Sequence, residues 1–244
     1  MLQKNARSFL RLLKSDNLKN MDKRIIISVQ DITKTYDLGE VKVKALKGVS
    51  LDINRGDFLC ITGRNGSGKS TFLHQLGLLD LPSSGKIYLN DQEVTNMSEK
   101  KRSNLRLTYL GYIFQEYALV PELTALENVM LPSMMQNSIG ISREKAKELL
   151  SKVGLEGKEN HLPNQCSGGE QQKIAIARAL VNDPDILFAD EPTASLDSSV
   201  SRDILSIFKK LNKEDGHTVI MITHEEEETK YANRIIELRD GKIV

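Results

Sequence analysis

Residues 63–71 read Gly-Arg-Asn-Gly-Ser-Gly-Lys-Ser-Thr, the pattern Gly-x-x-x-x-Gly-Lys-Ser/Thr of a phosphate-binding loop. Glycines let the backbone curl so that successive N–H groups face one concavity. The apolar segment Phe58–Thr62 predicts a strand before the loop, and Ser70–Leu78 predicts a helix whose positive end points at the same phosphate. A glycine-rich turn with an incidental lysine is the alternative, and the flanking strand and helix argue against it.

Two side chains of this loop predict specific contacts. The Lys69 ammonium is placed to reach the β- and γ-phosphates of a nucleotide, and the Ser70 hydroxyl is placed to ligate Mg²⁺. A nucleotide and a divalent cation are therefore the expected ligands.

A pair of carboxylates follows a second apolar strand, Ile186–Ala189. An unbroken apolar run is typical of a central parallel strand covered on both faces, and ligands bind at the carboxyl ends of such strands. We therefore expect Asp190 to lie beside Mg²⁺, and Glu191 to orient and deprotonate the water that attacks the γ-phosphate. In isolation an Asp-Glu pair after a strand is more often a solvated turn, but together with the phosphate loop it indicates catalysis.

A second helix start is also suited to an anion. Ser167 and Glu170 have the spacing of a capping box, which predicts a helix from Ser167 to Leu180. Gly168 and Gly169 add unhindered N–H groups at its positive end. Either these glycines expose an anion site or they only permit tight packing, and the segment by itself leaves both interpretations open.

Short apolar runs alternate with helical patterns along the chain, which predicts an α/β fold with parallel strand pairs. Residues 116–180 show helical patterns without a convincing strand, so we expect a helical subdomain inserted in an α/β core formed by residues 25–115 and 181–244. The predicted strands are Ile25–Val29, Phe58–Thr62, Lys86–Leu89, Tyr109–Phe114, Ile186–Ala189, Val219–Thr223 and Ile235–Leu238. The predicted helices are Ser70–Leu78, Ser142–Val153, Ser167–Leu180 and Ser198–Leu211.

The composition is that of an ordinary globular protein, since the 244 residues have a net charge of +1 and are 39% hydrophobic. Nothing in this balance favours nucleic acid as a partner. Cys60 and Cys166 lack metal-site spacing and indicate free thiols in a reducing compartment. No run predicts a membrane span, and basic residues interrupt any signal-peptide pattern. Residues 1–24 form a basic extension, which is either a frayed tail or start-site artefact or an amphipathic segment that contacts a membrane or partner.

Together these motifs resemble the nucleotide-binding subunits of ABC transporters. Residues 63–71 match that family's Walker A loop, and Asp190 with Glu191 matches its Walker B carboxylate and catalytic glutamate. Residues 167–170 are similar to its signature motif, which other phosphate-loop enzymes lack. The resemblance implies a P-loop NTPase core with a mixed, mostly parallel sheet, an antiparallel β region and an inserted helical subdomain.

Three further residues take a role from the resemblance alone. Gln115 looks like the Q-loop glutamine that couples Mg²⁺ to the helical subdomain, His224 looks like the switch histidine at the γ-phosphate, and Tyr36 stands where the family places an aromatic ring under adenine. The implied catalytic residues are Glu191, His224, Gln115 and Lys69. The implied Mg²⁺ ligands are Ser70, Gln115 and Asp190. The implied nucleotide contacts are Tyr36, Gly63, Arg64, Asn65, Gly66, Ser67, Gly68, Lys69, Ser70, Thr71, Ser167, Gly168, Gly169 and Glu170.

In this family two subunits enclose two ATP molecules between them. The resemblance therefore implies an ATP-induced homodimer, or a pair with a second ATPase subunit, in which Ser167 and Gly169 bind the γ-phosphate held by the other subunit. Hydrolysis would loosen the dimer, and this two-state switch would drive a separate transmembrane permease from the cytoplasmic face of the membrane. No nucleic acid partner is expected.

The segment Leu123–Val129, followed by Leu131 and Pro132, narrows the resemblance. It is similar to the subgroup that serves lipoprotein release, macrolide export and antimicrobial-peptide resistance. The methionines of this region are interpreted as core residues, with an adaptable docking groove as the alternative: Met130, Met134 and Met135.

Other functional classes remain as alternatives. A soluble ABC ATPase of DNA repair or chromosome structure would carry zinc cysteines or a long coiled-coil insertion, and a translation type would usually carry two such domains. A phosphate-loop kinase would lack the signature motif. A regulator that binds ATP without hydrolysing it is disfavoured by the presence of Glu191.

Overall fold

The computed structural model describes residues 25–37, 39, 41–136 and 143–244. The extension predicted at residues 1–24 lies outside the described residues. The strands are β1 (Ile25–Asp37), β2 (Lys42–Asn54), β3 (Phe58–Thr62), β4 (Ser84–Leu89), β5 (Gln92–Glu93), β6 (Leu110–Ile113), β7 (Ile186–Asp190), β8 (Thr218–Ile222), β9 (Arg234–Arg239) and β10 (Lys242–Ile243). The helices are α1 (Lys69–Leu76), α2 (Glu99–Tyr109), α3 (Ala125–Met134), α4 (Arg143–Lys152), α5 (Gly168–Leu180), α6 (Ser198–Lys213) and α7 (Glu226–Thr229), with a 3₁₀ turn at Pro163–Gln165.

A six-stranded sheet carries the phosphate loop at the end of β3. Its strand order is β10-β9-β3-β8-β7-β6, and each neighbouring pair is parallel except β10 with β9. Alternate residues of β3 point to opposite faces: Phe58 and Cys60 join the core that includes α5 and α6, whereas Leu59 and Ile61 join the core that includes α1. Because both faces are covered, the central strands are apolar throughout.

A second sheet, with the order β2-β1-β4-β5, is antiparallel and packs against α1. The fold class predicted from the sequence is therefore confirmed. Strand β1 continues to Asp37 instead of ending at Val29, and β2 was not predicted at all. The exposed side of β2 carries lysines that obscure its apolar alternation, whereas its inner side contributes to the core through Leu46, Val49 and Ile53.

Residues 116–180 contain α3, α4, the 3₁₀ turn and α5, and their described part has no strand. The three helices share one apolar core through Val129, Leu150 and Ile174. Helix α3 begins at a capping box formed by Thr124 and Glu127. None of the described helices combines the length and the apolar character that a membrane crossing needs.

Two sequence predictions differ from the structure: the strand predicted at Tyr109–Phe114 is present as β6 but begins one residue later, and two of three methionines interpreted as core residues are exposed. Tyr109 ends α2 instead of starting a strand, because the helical hydrogen bonds continue up to β6. Met134 and Met135, at the end of α3, are 67% and 64% exposed rather than core residues. Because Ser133 in the same turn is buried, the turn itself is covered and the two methionines lie on its outer side. Only Met130 of the three packs against the core.

Candidate functional site

The phosphate loop has the geometry that its glycines predict. A Cβ atom on Gly63 would lie 2.2 Å from the Leu238 carbonyl oxygen, so only glycine fits beside β9. Gly66 has a φ of 78° with open space around its α-carbon, which leaves the outer backbone of the loop accessible. The Lys69 ammonium donates hydrogen bonds to the carbonyl oxygens of Gly63 (2.9 Å) and Arg64 (3.2 Å). Within the described parts of the chain the third N–H of this ammonium has no acceptor, and its contact with a phosphate oxygen stays a prediction.

The start of α1 is free of side-chain caps. Gly68 precedes the helix with a φ of 104° and offers no side chain to the first-turn N–H groups. Arg64 and Asn65 are exposed at the rim of the loop, whereas Ser67 is buried, with a hydroxyl that bonds to none of the described residues. A helix start with unsatisfied N–H groups attracts an anion, so this end of α1 suits a phosphate group.

Asp190, at the end of β7, brings a carboxylate to the start of α1. The Ser70 hydroxyl donates to Asp190 Oδ1 at 3.4 Å, and His74 Nε2 lies 3.8 Å from Oδ2. Burial raises the pKa of Asp190, although His74 and Ser70 oppose this rise. A hydroxyl and a partly desolvated carboxylate side by side are hard oxygen donors, which is the ligand chemistry that Mg²⁺ prefers. The residues present therefore fit the predicted cation.

Glu191 and His224 meet at the ends of β7 and β8. Glu191 has a φ of 43°, and its N–H donates to the Ile222 carbonyl oxygen at 3.2 Å, which ties the two strand ends together. His224 Nδ1 lies 3.4 Å from Glu191 Oε2, and Nε2 lies 3.2 Å from Glu225 Oε1. A non-glycine residue with positive φ is uncommon and marks a position where the surroundings impose the conformation. The resulting carboxylate–imidazole pair is suited to accepting a proton from water.

Gln115 lies exposed in the turn after β6. Strand β6 pairs with β7, and Ile113 lies opposite Ala189 in the register. Gln115 therefore follows β6 at the same edge of the sheet at which β7 ends with Asp190. Its role toward Mg²⁺ stays a prediction.

Tyr36 is oriented through its hydroxyl, which donates to Asp80 Oδ2 at 3.1 Å and lies 3.4 Å from Thr71 Oγ1 of α1. The Lys34 ammonium lies 5.0 Å from the centre of the Tyr36 ring and donates to Asp80 Oδ1 at 2.7 Å. Burial would raise the pKa of Asp80, but hydrogen bonds from Lys34 and the Leu81 N–H hold it below its usual value. The ring is thereby fixed beside the helix that follows the phosphate loop, and its contact with adenine stays a prediction.

The second helix start forms the predicted capping box. Ser167 Oγ accepts a hydrogen bond from the Glu170 N–H (3.3 Å), and Glu170 Oε2 accepts one from the Ser167 N–H (2.8 Å). The bond from the Ser167 N–H lowers the pKa of Glu170, and the Lys158 ammonium lowers it further. Ser167 itself is exposed, so this end of α5 is accessible to another molecule.

The twin glycines of α5 also permit close packing. A Cβ atom on Gly169 would lie 2.4 Å from Val200 Cγ1 of α6. A Cβ atom on Gly168 would lie 2.9 Å from the Tyr117 hydroxyl and 3.4 Å from Leu196 Cδ2. The packing interpretation is therefore confirmed for Gly169, and the anion-binding interpretation stays a prediction.

The sequence did not identify three polar residues of this region: Lys34, Asp80 and Glu228. Lys34 and Asp80 orient Tyr36, and nothing in their local sequence distinguishes them from surface charges. Glu228 is one of four consecutive glutamates, residues 225–228, a pattern that by itself is typical of the acidic first turn of a helix. In the structure it is buried and accepts hydrogen bonds from two threonines.

The profile of the ABC transporter family matches residues 46–194. A macrolide export ATP-binding/permease protein from Bdellovibrio bacteriovorus is 50% identical over 218 residues, which cover 89% of this chain and 33% of that protein. An uncharacterized ABC transporter ATP-binding protein from Methanocaldococcus jannaschii is 50% identical over 220 residues, 90% of this chain and 98% of that protein. The chain thus spans about a third of the macrolide exporter and nearly all of the other relative.

Solved structures of ATP-binding cassettes have the same fold as this chain. The ATP-binding cassette MJ0796 of Methanocaldococcus jannaschii, solved as a post-hydrolysis dimer with ADP and Pi, superposes with a TM-score of 0.84 at 43% identity, over 89% of this chain and 96% of that one. The family profile and these relatives cover the phosphate loop, both carboxylates and the second helix start. This chain is therefore an ATP-binding, ATP-hydrolysing cassette that belongs to the ABC transporter family.

Proposed function

We propose that the chain hydrolyses Mg-ATP at a site built by two subunits. In this arrangement each subunit binds one nucleotide with its phosphate loop and contacts the other nucleotide with the start of α5. The observation that carries the proposal concerns two helix starts among the described residues, those of α1 and α5, which both suit a phosphate group. The lysine-bearing loop lies in front of α1, whereas Ser167 at the start of α5 is exposed. A second subunit gives that exposed helix start a ligand. The dimer formed by the related cassette MJ0796 supports this arrangement.

Mg²⁺ would be held by the Ser70 hydroxyl and the Asp190 carboxylate, with Gln115 as a further ligand. When bound, it would offset the negative charge of the β- and γ-phosphates and orient them. Burial raises the pKa of Asp190 because it disfavours the charged carboxylate. A bound cation would stabilise that charged form, so the carboxylate is suited to this role.

The remaining residues bind and orient the reactants. Lys69 and the loop N–H groups hold the phosphates, and Tyr36 packs under the adenine ring. Glu191 orients the attacking water and accepts its proton, and His224 contacts the γ-phosphate beside it. The distance of 3.4 Å between His224 Nδ1 and Glu191 Oε2 is short enough for both side chains to act on the same water and phosphate.

Hydrolysis removes the phosphate that links the two subunits, so the dimer loosens and the cycle can drive a partner. We propose that this partner is a separate transmembrane permease of the lipoprotein, macrolide or antimicrobial-peptide type, reached from the cytoplasmic face of the membrane. The name of the Bdellovibrio relative, which combines an ATP-binding part with a permease, supports a membrane partner. Residues 116–180 would act as the helical subdomain that meets it, and residues 25–115 and 181–244 as the ATP-binding core.

Glu191→Gln tests the catalytic part of the proposal. Loss of a general base lowers the rate by about a hundredfold or more. Because the phosphate contacts remain, ATP binding should persist and the protein should accumulate as an ATP-bound dimer. Turnover is measured as phosphate release and dimerisation by size-exclusion chromatography with ATP. Glu156→Gln, an exposed glutamate, is the matched control. Wild-type turnover in Glu191→Gln would remove Glu191 from the role of base.

Ser167→Arg, made in the Glu191→Gln background, tests the second subunit's contribution. The bulky side chain should block ATP-driven dimerisation while monomer affinity for ATP stays nearly unchanged. A dimer that persists would contradict the contact across subunits.

The membrane partner is tested by co-purification from membranes. An active ATPase dimer that captures no membrane protein there would favour the soluble ABC ATPase alternative.

A further inference from the structure

Glu228 is a buried carboxylate whose two oxygens bind two different loops. Its side chain lies on α7, and the residue is only 7% exposed. Oε1 accepts a hydrogen bond from Thr193 Oγ1, and Oε2 accepts one from Thr223 Oγ1, both at 2.5 Å. Both threonines are buried as well. Hydroxyl-to-carboxylate bonds of this kind are charge-assisted and stronger than neutral ones.

Thr193 fixes the turn that carries Glu191. Residues 191–196 form successive turns, in which the Ala194 N–H donates to the Glu191 carbonyl oxygen (3.2 Å) and the Leu196 N–H donates to the Thr193 carbonyl oxygen (3.0 Å). Thr193 is therefore the point at which this turn is anchored to α7. A shift of Thr193 would move Glu191, two residues before it.

Thr223 fixes the loop that carries His224. Its Oγ1 accepts a hydrogen bond from the Glu225 N–H (3.0 Å) and donates its own proton to Glu228. The hydroxyl of Thr223 thus links the residues on both sides of His224, and its own hydrogen bond attaches them to the carboxylate that also binds Thr193.

We infer that Glu228 is a positioning residue for hydrolysis, because it joins the Glu191 turn to the His224 loop and sets the separation of these two side chains. The inference rests on the proposed function, in which both side chains act at the γ-phosphate. A displacement of about 1 Å in a reacting group can lower a rate by about a hundredfold. An aliphatic side chain at position 228 would fill the space but would hold neither threonine hydroxyl.

Glu228→Met and Glu228→Gln separate this role from simple packing. Methionine has a similar length but holds neither hydroxyl, so kcat should fall by about tenfold or more while KM for ATP changes by less than about twofold. In glutamine, the amide oxygen can accept from one threonine and the amide nitrogen can donate to the other, so kcat should stay within about threefold of wild type. Glu226→Met, an exposed glutamate of the same helix, is the matched control.

Substitutions of Thr193 test the positioning role of Glu228 independently, even if Glu228→Met fails to fold. Thr193→Val should lower kcat as Glu228→Met does, and Thr193→Ser, which keeps the hydroxyl, should restore it. In the double variant, Thr193→Val should add almost nothing to Glu228→Met, because both break the same connection. Urea unfolding verifies that each variant is folded.

Three results would overturn the inference: a wild-type kcat in Glu228→Met, a change in KM alone, or fully additive effects of Glu228→Met and Thr193→Val. Failure of the proposed function has a different signature, since Glu191→Gln would then turn over ATP like the wild type. If Glu191→Gln is inactive and Glu228→Met is fully active, only the role of Glu228 fails.

Discussion

Replacing Gly169 with alanine would place a methyl group against helix α6. The new Cβ would lie 2.4 Å from Val200 Cγ1, whereas carbon atoms in contact are about 3.5–4.0 Å apart, so one of the two must move by more than about 1 Å. Valine in a helix has one strongly preferred χ1 rotamer and cannot easily turn away. Overpacking of this kind costs about 1–3 kcal/mol. The better helix propensity of alanine offsets up to about 1 kcal/mol of this cost, so we expect a net loss between about 0 and 3 kcal/mol.

A double-mutant cycle with Val200→Ala measures this contact. Urea unfolding of the four proteins should give a favourable coupling energy of about 1–3 kcal/mol, because the second substitution removes the methyl group that the first one meets. In a chain of this size each kcal/mol corresponds to about 2–4 °C in Tm. Additive free energies, which would mean no coupling between positions 169 and 200, would refute the packing argument.

The same cycle in the Glu191→Gln background separates packing from ligand binding. The added methyl group points at α6 and leaves the Gly169 N–H in place, so the double variant should regain both stability and ATP-driven dimerisation. If stability returns but the dimer does not, the glycine is needed for close approach to the partner's nucleotide.

Three further predictions concern buried polar groups. The Tyr112 hydroxyl is buried against Gly77 and bonds to none of the described residues. Tyr112→Phe should therefore raise the free energy of unfolding, measured in urea, by about 1 kcal/mol or more. A lower free energy of unfolding would show that the hydroxyl has a partner. Burial lowers the pKa of His217, whose Nδ1 lies 2.8 Å from the Pro184 carbonyl oxygen. The unfolded chain therefore takes up a proton on His217 at a higher pH than the folded protein does, so the free energy of unfolding should fall between about pH 7 and about pH 5. His217→Gln should reduce this dependence on pH. The same dependence in the wild type and in His217→Gln, measured by urea unfolding, would contradict the assignment. Burial, with a smaller contribution from Glu228, raises the pKa of Cys60 to about 12. Iodoacetamide at about pH 8 should therefore label this thiol only after unfolding, and rapid labelling of the native protein would contradict the prediction.

Several parts of the site were predictable because they depend on neighbouring residues in the chain. The phosphate loop needs glycines at fixed spacing between a strand and a helix, and Gly63 and Gly66 adopt the conformations that this requires. The capping box of Ser167 and Glu170 joins residues three positions apart. Strand β7 was predicted because Ile186–Ala189 are apolar without interruption; Asp190 ends the strand and Glu191 follows it.

The remaining contacts depend on which strands and helices become neighbours. Thr193 and Glu228 are 35 positions apart and Tyr36 and Asp80 are 44 apart, so no local pattern distinguishes either acidic residue from a surface charge.

The sequence by itself determined the family, the phosphate loop, the carboxylate pair and the second helix start, because short-range steric and hydrogen-bonding requirements restrict residue types directly. Only the tertiary structure decided which of four consecutive glutamates is buried, how Tyr36 is oriented, and that Gly169 meets Val200. These three features depend on the order of the strands and on the packing of α5 against α6. Both bring side chains into contact that lie far apart in the chain.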